Sequence, residues 1–378
     1  GARYIGDMDR IFDTYAHLVP QMQDFVREQF PKHPDDGDFV YRQAVKAKAF
    51  DALRGLLPAA SLSNVGIYGT GQAYEALLLR MRSHPLPESR YYADLMLREL
   101  RKVIPSFLER VDREDRGIVW SEYLQETRED TADVVAALFP EGSIVDPSPT
   151  VRLVDFDPEG EVKMIASMMY PHSTMSEDQL ERRVAGMNHE DRMAVARAYV
   201  GDRRNRRHKP GRALERPFYR FDVLVDYGAF RDLQRHRMLS MDWQNLSPHH
   251  GYISSPLVNA AGMGSVYEEA MERSAALYDL LVDDFPDQAS YAINLAYKIR
   301  FNMNINARSA MHLIELRTTP QGHPSYREVG QEMHRLIAEE AGHSVISEMM
   351  KFVDHTDETD LERLQSERRA QEKRQSTE

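Results

Sequence analysis

Two stretches decide how this chain reads: Gln234-Arg235-His236-Arg237-Met238-Leu239-Ser240, and Asn304-Ile305-Asn306-Ala307-Arg308-Ser309 running on to Glu315-Leu316-Arg317. Each sets planar, multi-donor side chains inside text whose apolar spacing reads as helical. Guanidinium forks suit phosphate oxygens, and imidazole and amide groups suit ring edges, so the pair fits a ligand carrying both. Alone, Arg235-His236-Arg237 would be a solvated charged face after Phe230 and Leu233. It is not alone: Asn304, Asn306 and Arg308 form a second cluster, and Arg317 interrupts an apolar run. Arg317, just before Thr318-Thr319-Pro320, is either an aliphatic-stem filler or a clamp for phosphate or carboxylate.

Outward from these stretches the text alternates helix and break. Ile11, Phe12, Tyr15, Leu18, Val19, Met22, Phe25 and Val26 recur at spacings of three and four, predicting a helix over 8–28. Further helices are expected over 40–57, 72–82, 88–111, 160–170, 176–200, 264–283, 288–300, 306–317 and 324–341. The last of these shows Tyr326, Val329, Met333, Leu336 and Ile337 on one face. Pro140, Gly142, Pro147 and Pro149 read as a linker. Val151 to Phe156 reads as a strand, and Tyr219, Phe221, Val223 and Val225 alternate as a second. Arg203 to Arg212 is a basic loop, and the charged tail from about 355 is a frayed helix or disordered.

The chain has 378 residues, no cysteine and a formal net charge of −12. The excess negative charge disfavours nucleic-acid partners but leaves room for a local basic pocket. Without cysteine there are no disulfides, thiolate zinc sites or thiol nucleophiles, and a cytoplasmic setting fits. No apolar run approaches the roughly 20 residues of a membrane helix. Metal ligation is not expected. Glu340-Ala341-Gly342-His343 is a single Glu-x-x-His spacing without a second copy, read as a solvated helix face. His249-His250 reads as a loop pair. There is no P-loop and no Rossmann fingerprint, and Gly69-Thr70-Gly71 reads as a helix-entry turn. Any dinucleotide must therefore be held by side chains.

At this point the chain resembles the flavin-dependent thymidylate synthases. Arg235, His236, Arg237 and Ser240 are similar to that family's Arg-His-Arg-x-x-Ser signature. His208…Glu215 followed by Phe218-Tyr219-Arg220-Phe221 is similar to its upstream His…Glu strand element. Asn306-Ala307-Arg308-Ser309 with Leu316-Arg317 resembles its Asn-Ala-Arg-Ser…Leu-Arg helix. The resemblance spans about 150–345. It implies that Arg235, His236, Arg237, Asn306 and Arg308 bind FAD, and that Arg317 and Gln234 face deoxyuridylate. It also implies reductive methylation of dUMP to dTMP, with methylene-tetrahydrofolate and NADPH as co-substrates. It assigns no catalytic side chain, because the flavin carries the redox chemistry. The absence of cysteine agrees, since the other thymidylate synthase class needs a thiolate.

The chain departs from the pattern where the family grips the nucleotide. Asp242, Trp243, Asn245 and Ser247 stand where the family has an asparagine, a glutamate, a serine and an arginine, and the last three are all replaced. A faint repeat with a period of about 237 residues bears on this. Ala73 to Arg80 resembles Ala310 to Arg317, and Leu53-Arg54-Gly55-Leu56-Leu57-Pro58 resembles the family's Arg-x-x-Leu-Pro element, whose arginine contacts nucleotide. The second half has only Ser290 there. The expectation is an α+β fold, with helices around a small mixed or antiparallel sheet in 150–260. A helical degenerate half would occupy 1–145, the synthase-like core 146–345 and a charged tail 346–378. Arg54 would complete the nucleotide end of a composite site, and a homodimer of such fused pseudo-dimers would mimic the family's assembly. A complete duplication would need on the order of 100 more residues ahead of Gly1. The alternative is a non-catalytic or altered-substrate FAD/nucleotide-binding homologue.

Overall fold

A computed structural model describes residues 1–34, 36–139, 149–356, 361 and 364. The linker expected at 140–150 and the tail from 355 fall largely outside the described residues. The chain divides into two compact units: 1–60 with 148–280 and 290–378, and 61–147 with 281–289.

The larger unit is built on one amphipathic sheet. In β2 (Phe218–Asp226), Tyr219, Phe221, Val223 and Val225 alternate into the core. In β4 (Lys298–Asn306), Ile299, Phe301, Met303 and Ile305 do the same. The two strands run antiparallel with Tyr219 opposite Ile305 and Val223 opposite Phe301, so the buried residues form one continuous face. β1 (Val151–Phe156) and β3 (Leu239–Trp243) flank them in the order β1-β2-β4-β3, every pair antiparallel. The other face carries Arg220 opposite Asn304 and Asp222 opposite Asn302, as one-sided antiparallel sheets do. The fold is α+β, as expected. However, the sheet takes a central strand from beyond residue 260. The stretch expected as a helix over 288–300 is a short turn of 3-10 helix at Ala289–Ala292 leading into that strand. Its side chains repeat every second residue from Ile299, and that period decided its conformation.

Helices cover the apolar face. α13 (Ala307–Arg317) follows β4 directly, its first turn capped by Asn306, whose Oδ1 accepts from the Ser309 amide at 2.9 Å. α14 (Pro324–Glu339) buries Val329, Met333, Leu336 and Ile337, with Pro324 at its first turn. α7 (Gly160–Met169) packs with α8 (Glu177–Ala185) and α9 (His189–Val200). A single helix was expected over 176–200. Gly186 closes α8 and Asn188 caps α9, splitting it. α10 (Tyr227–Leu233), α11 (Pro256–Ala260), α12 (Gly264–Leu281) and α15 (Ser344–Glu348) complete this part. At the N-terminal end, α1 (Ala2–Gln29) packs on α2 (Asp38–Leu53). His343 is a correction. It is buried, not solvated, and its Nδ1 lies 2.8 Å from the Tyr219 hydroxyl.

The smaller unit packs α3 (Gly71–Arg82) against α4 (Pro87–Leu100), α5 (Pro105–Leu108) and α6 (Val119–Leu138). Leu78, Ala93, Leu97, Leu108 and Val111 form its core. The helix expected over 88–111 breaks ahead of Pro105, which cannot continue an interior turn. Thr70 caps α3, as the Gly-Thr-Gly turn implies. Among the described residues no helix is long and apolar enough to cross a membrane.

One ion pair fastens α13 to the basic loop. Arg203 and Glu315 are both almost fully buried and meet fork to fork at 2.7 and 2.5 Å. Removing one partner strands a buried charge, so Arg203→Ala should lower the unfolding free energy by about 3–5 kcal/mol. Urea denaturation of wild type and variant checks this, and an unchanged midpoint contradicts it.

Candidate functional site

The site assembles where α10, β3 and the C-terminal end of α13 meet. Asp226 ends β2 and caps α10, its Oδ1 accepting from the Ala229 amide at 2.9 Å. α10 ends at Leu233 with Gln234 as its C-cap, and the Arg-His-Arg turn follows. Met238 closes that turn with φ at +63°, a left-handed conformation that is unusual for a residue with a side chain. β3 then starts, fixed by Leu239 opposite Ile305.

Arg317 is the centre of the cluster. Its Nε donates to His236 Nε2 at 2.9 Å, its Nη2 donates to the Asp232 carbonyl, and its Nη1 lies 3.5 Å from Asp232 Oδ1. The guanidinium also lies over the Tyr326 ring, 5.2 Å from its centroid. The other Asp232 oxygen, Oδ2, lies 3.8 Å from Nη1 of Arg54. Two arginines more than 250 positions apart in sequence thus face one carboxylate. Burial lowers the His236 pKa to about 3, with Arg317 and His312 adding to the effect. His236 is therefore neutral at physiological pH. Because its Nε2 accepts from Arg317, its proton sits on Nδ1. The His312 ring is 5.8 Å from that of His236.

Arg54 reaches this point because its own segment is paired. Ala296 donates to the Gly55 carbonyl at 3.0 Å, Leu295 to Leu57 at 2.8 Å, and Ala59 to Ile293 at 2.7 Å, with Pro58 bridging Asn294. Gly55 permits the approach: a Cβ there would stand 2.3 Å from the Tyr267 hydroxyl oxygen. Two buried polar atoms of this region have no hydrogen-bonding partner among the described residues, Nη2 of Arg54 and Oδ2 of Asp226. Burial raises the Asp226 pKa, against the pull of its cap bond and of Arg54. His323, also under the influence of Arg54, is held near pKa 3, chiefly by burial.

The expected site residues separate into two groups. Arg54, His236 and Arg317 converge around Asp232, and Arg235 approaches the same carboxylate at 3.7 Å from an exposed position. Gln234 and Arg237 are exposed beside them, and their side chains meet no partner among the described residues. Asn306 and Arg308 lie at the opposite end of α13. Asn306 acts as its cap, and Arg308 donates to the Pro210 carbonyl at 2.9 Å and to Glu215 at 2.6 Å. Sequence reasoning missed Asp232, His312 and Tyr326. Asp232 had a weak signal, three residues before Arg235 on one helical face; the others had none without the fold. Two surface concavities, of about 230 and 390 Å³, contain none of these residues. Among the described residues no cluster of metal-ligating side chains occurs.

With this geometry in view, the chain belongs to the family of thymidylate synthase complementing proteins, whose sequence model matches residues 2–106 and 152–342. It is thus thymidylate-synthase-like. A UPF0159 protein of Chlamydia pneumoniae is 38% identical over 97% of this chain and 68% of its own length. One from Thermoplasma acidophilum is 28% identical over 95% of this chain and 74% of its own length. Among solved structures, the chain is similar to a flavin-dependent thymidylate synthase, ThyX, of Helicobacter pylori complexed with FAD and dUMP. Identity there is 18% and the TM-score 0.39, over 53% of this chain and 99% of that one.

The low pKa of His236 has a consequence for stability. Between about pH 6.5 and pH 3 the unfolded chain takes up a proton at this residue that the folded chain refuses. Its contribution is constant above pH 6.5 and falls as pH drops through that window. His236→Gln should therefore lose less stability than wild type between pH 7 and pH 4.5 in urea melts. Parallel losses contradict the assignment.

Proposed function

We propose that this chain is a tandem member of its family that binds FAD and a pyrimidine nucleotide. It would carry out reductive methylation of dUMP to dTMP with methylene-tetrahydrofolate and NADPH. The observation that carries the reading is the convergence of Arg54 and Arg317 on Asp232. Two guanidiniums aimed at one carboxylate form an anion site, and an incoming phosphate or pyrimidine oxygen competes with Asp232 for them. Arg317 is presented rigidly: His236 fixes its Nε, the Asp232 carbonyl its Nη2, and Tyr326 supports its plane.

The donors proposed for a flavin dinucleotide lie at both ends of α13, and at its start Asn306 and Arg308 are shared with the helix cap, Pro210 and Glu215. Arg237 and Arg235 offer exposed guanidiniums for a pyrophosphate, and Asn306 and Arg308 flank the start of α13. When bound, the flavin supplies hydride transfer. The protein's part is to hold it with these side chains and to keep His236 neutral, with Nδ1–H as a donor.

The tandem reading, with a helical half over 1–145, a core over 146–345 and a tail over 346–378, draws support from the pairing around Pro58. Leu57 meets Leu295, Pro58 meets Asn294 and Ala59 meets Ile293. With the repeat of about 237 residues, Leu57 and Pro58 have Asn294 and Leu295 as counterparts, and each pairs with the counterpart of its neighbour, Leu57 with Leu295 and Pro58 with Asn294. Equivalent segments running antiparallel against each other are what a local, approximate two-fold axis produces. Both halves also contain a capped helix, α3 or α13, followed by a helix with proline in its first turn, α4 or α14. A homodimer of such fused pairs completes the proposal.

A second reading, a non-catalytic or altered-substrate homologue, is favoured by Asp232 itself, which already occupies both arginines, and by Trp243 in place of a carboxylate. Purified protein should be yellow, and Arg54→Ala should weaken dUMP binding about tenfold or more, as expected for a lost charge-assisted contact. Colourless protein that takes up no added FAD contradicts the flavin reading, and dUMP binding unchanged in Arg54→Ala contradicts the composite site. Turnover of labelled dUMP separates the catalytic from the non-catalytic reading.

A further inference from the structure

The loop between α9 and β2 puts five cationic side chains into seven residues, Arg203 to Lys209, in a chain whose net charge is −12. Among the described residues only Arg203 is neutralised, and its role is internal. While its fork holds Glu315, its Nε donates to the His208 carbonyl at 2.9 Å and its Nη2 to the Arg206 carbonyl at 3.3 Å. Phe352 supports the same guanidinium, 5.2 Å from its centroid. Asn205 adds a turn, its Oδ1 accepting from the Arg207 amide at 2.9 Å. Arg308 ties the end of the loop to α13 through the Pro210 carbonyl. The loop is therefore wound around one buried arginine and is pre-organised.

The remaining cations, Arg204, Arg206, Arg207 and Lys209, have no ion-pair partner among the described residues, and all but the half-buried Arg206 are exposed. The carboxylates nearest in sequence are engaged elsewhere, Asp202 by Lys351 and Glu215 by Arg308 and Arg212, and the buried Glu315 is held by Arg203. The buried Arg203–Glu315 pair fixes the backbone that carries these cations, so an anion meeting them would find them already positioned. The loop also adjoins the site. Lys209 and Arg206 lie near enough to His312 to push down its pKa, alongside the larger effect of burial, and His312 adjoins His236.

We propose that Arg204, Arg206, Arg207 and Lys209 form a docking platform for the multiply anionic end of a co-substrate whose ring lies at the Arg317–His236 cluster. The chemistry is a run of closely spaced oxyanions, either the phosphates of a dinucleotide or the carboxylates of an oligo-γ-glutamyl tail. The anion platform stands on the loop alone, and its assignment to a co-substrate rests on the function proposed above.

The test uses the full chain and a quadruple variant, Arg204→Gln, Arg206→Gln, Arg207→Gln and Lys209→Gln, checked for an unchanged melting temperature. These side chains make no hydrogen bond or ion pair among the described residues, so the fold should be retained. Inorganic tripolyphosphate, a probe independent of flavin and nucleotide, should bind the wild type in calorimetry, more weakly at high salt. The variant should bind it about tenfold or more weakly. Absence of saturable binding to the wild type, or equal binding by both proteins, overturns the platform whatever becomes of the synthase reading. Titrations with FAD, NADPH, and methylene-tetrahydrofolate carrying one or several glutamates then identify the occupant. A loss confined to a dinucleotide assigns phosphates, and a loss confined to the oligoglutamyl form assigns carboxylates. Equal affinities of wild type and variant for all of them overturn the co-substrate assignment. Tripolyphosphate binding without any flavin or dUMP binding counts against the synthase reading and leaves the platform standing.

Discussion

The arrangement depends on the carboxylate of Asp232 facing two guanidiniums that come from opposite ends of the chain. Arg54 arrives through a short antiparallel pairing of its segment with residues 291–296, and Arg317 through the last turn of α13. Neither position is set locally. α13 is placed by the sheet it follows, and the Arg54 segment by its backbone partners and by the room Gly55 leaves for Tyr267. The site is therefore a product of the whole larger unit. Its two orphaned buried atoms, on Arg54 and Asp226, are the kind of unmet polar capacity that a ligand satisfies.

The same logic accounts for the charge pattern. A strongly negative chain repels anionic ligands at long range, so it must concentrate positive charge where an anion is to be held. Here the concentration follows one line: Arg317, then His236 and His312, then the loop built on Arg203. Burial keeps His236 uncharged, so it accepts a hydrogen bond from Arg317 without adding to the repulsion among the arginines.

Much of this was legible in the sequence. The alternation of Tyr219, Phe221, Val223 and Val225 declared β2, and the face of Val329, Met333, Leu336 and Ile337 declared α14. The Arg-His-Arg and Asn-Ala-Arg stretches pointed to the family, and the repeat pointed to Arg54. The start of β4 was misread because Ala289, Ala292, Ile293 and Ala296 recur at spacings of three and four, which mimic a helical face. The alternation that resolves it begins only at Ile299. Asp232 was missed for a different reason. Its partners lie 178 positions before it and 85 after it, and no local period reports a contact of that range. His343 looked solvated because its neighbours Glu339 and Glu340 are, yet Gly342, in a left-handed conformation, turns the chain back and buries the imidazole against Tyr219.

The central claim is that Arg54 and Arg317 act on one ligand through a shared anion site. A double-mutant cycle on dUMP affinity, with Arg54→Ala, Arg317→Ala and the pair measured by calorimetry, tests it most directly. Residues that share a site couple, so the account predicts a departure from additivity of about 1 kcal/mol or more. Additivity within about 0.3–0.5 kcal/mol, as for independent residues, contradicts it.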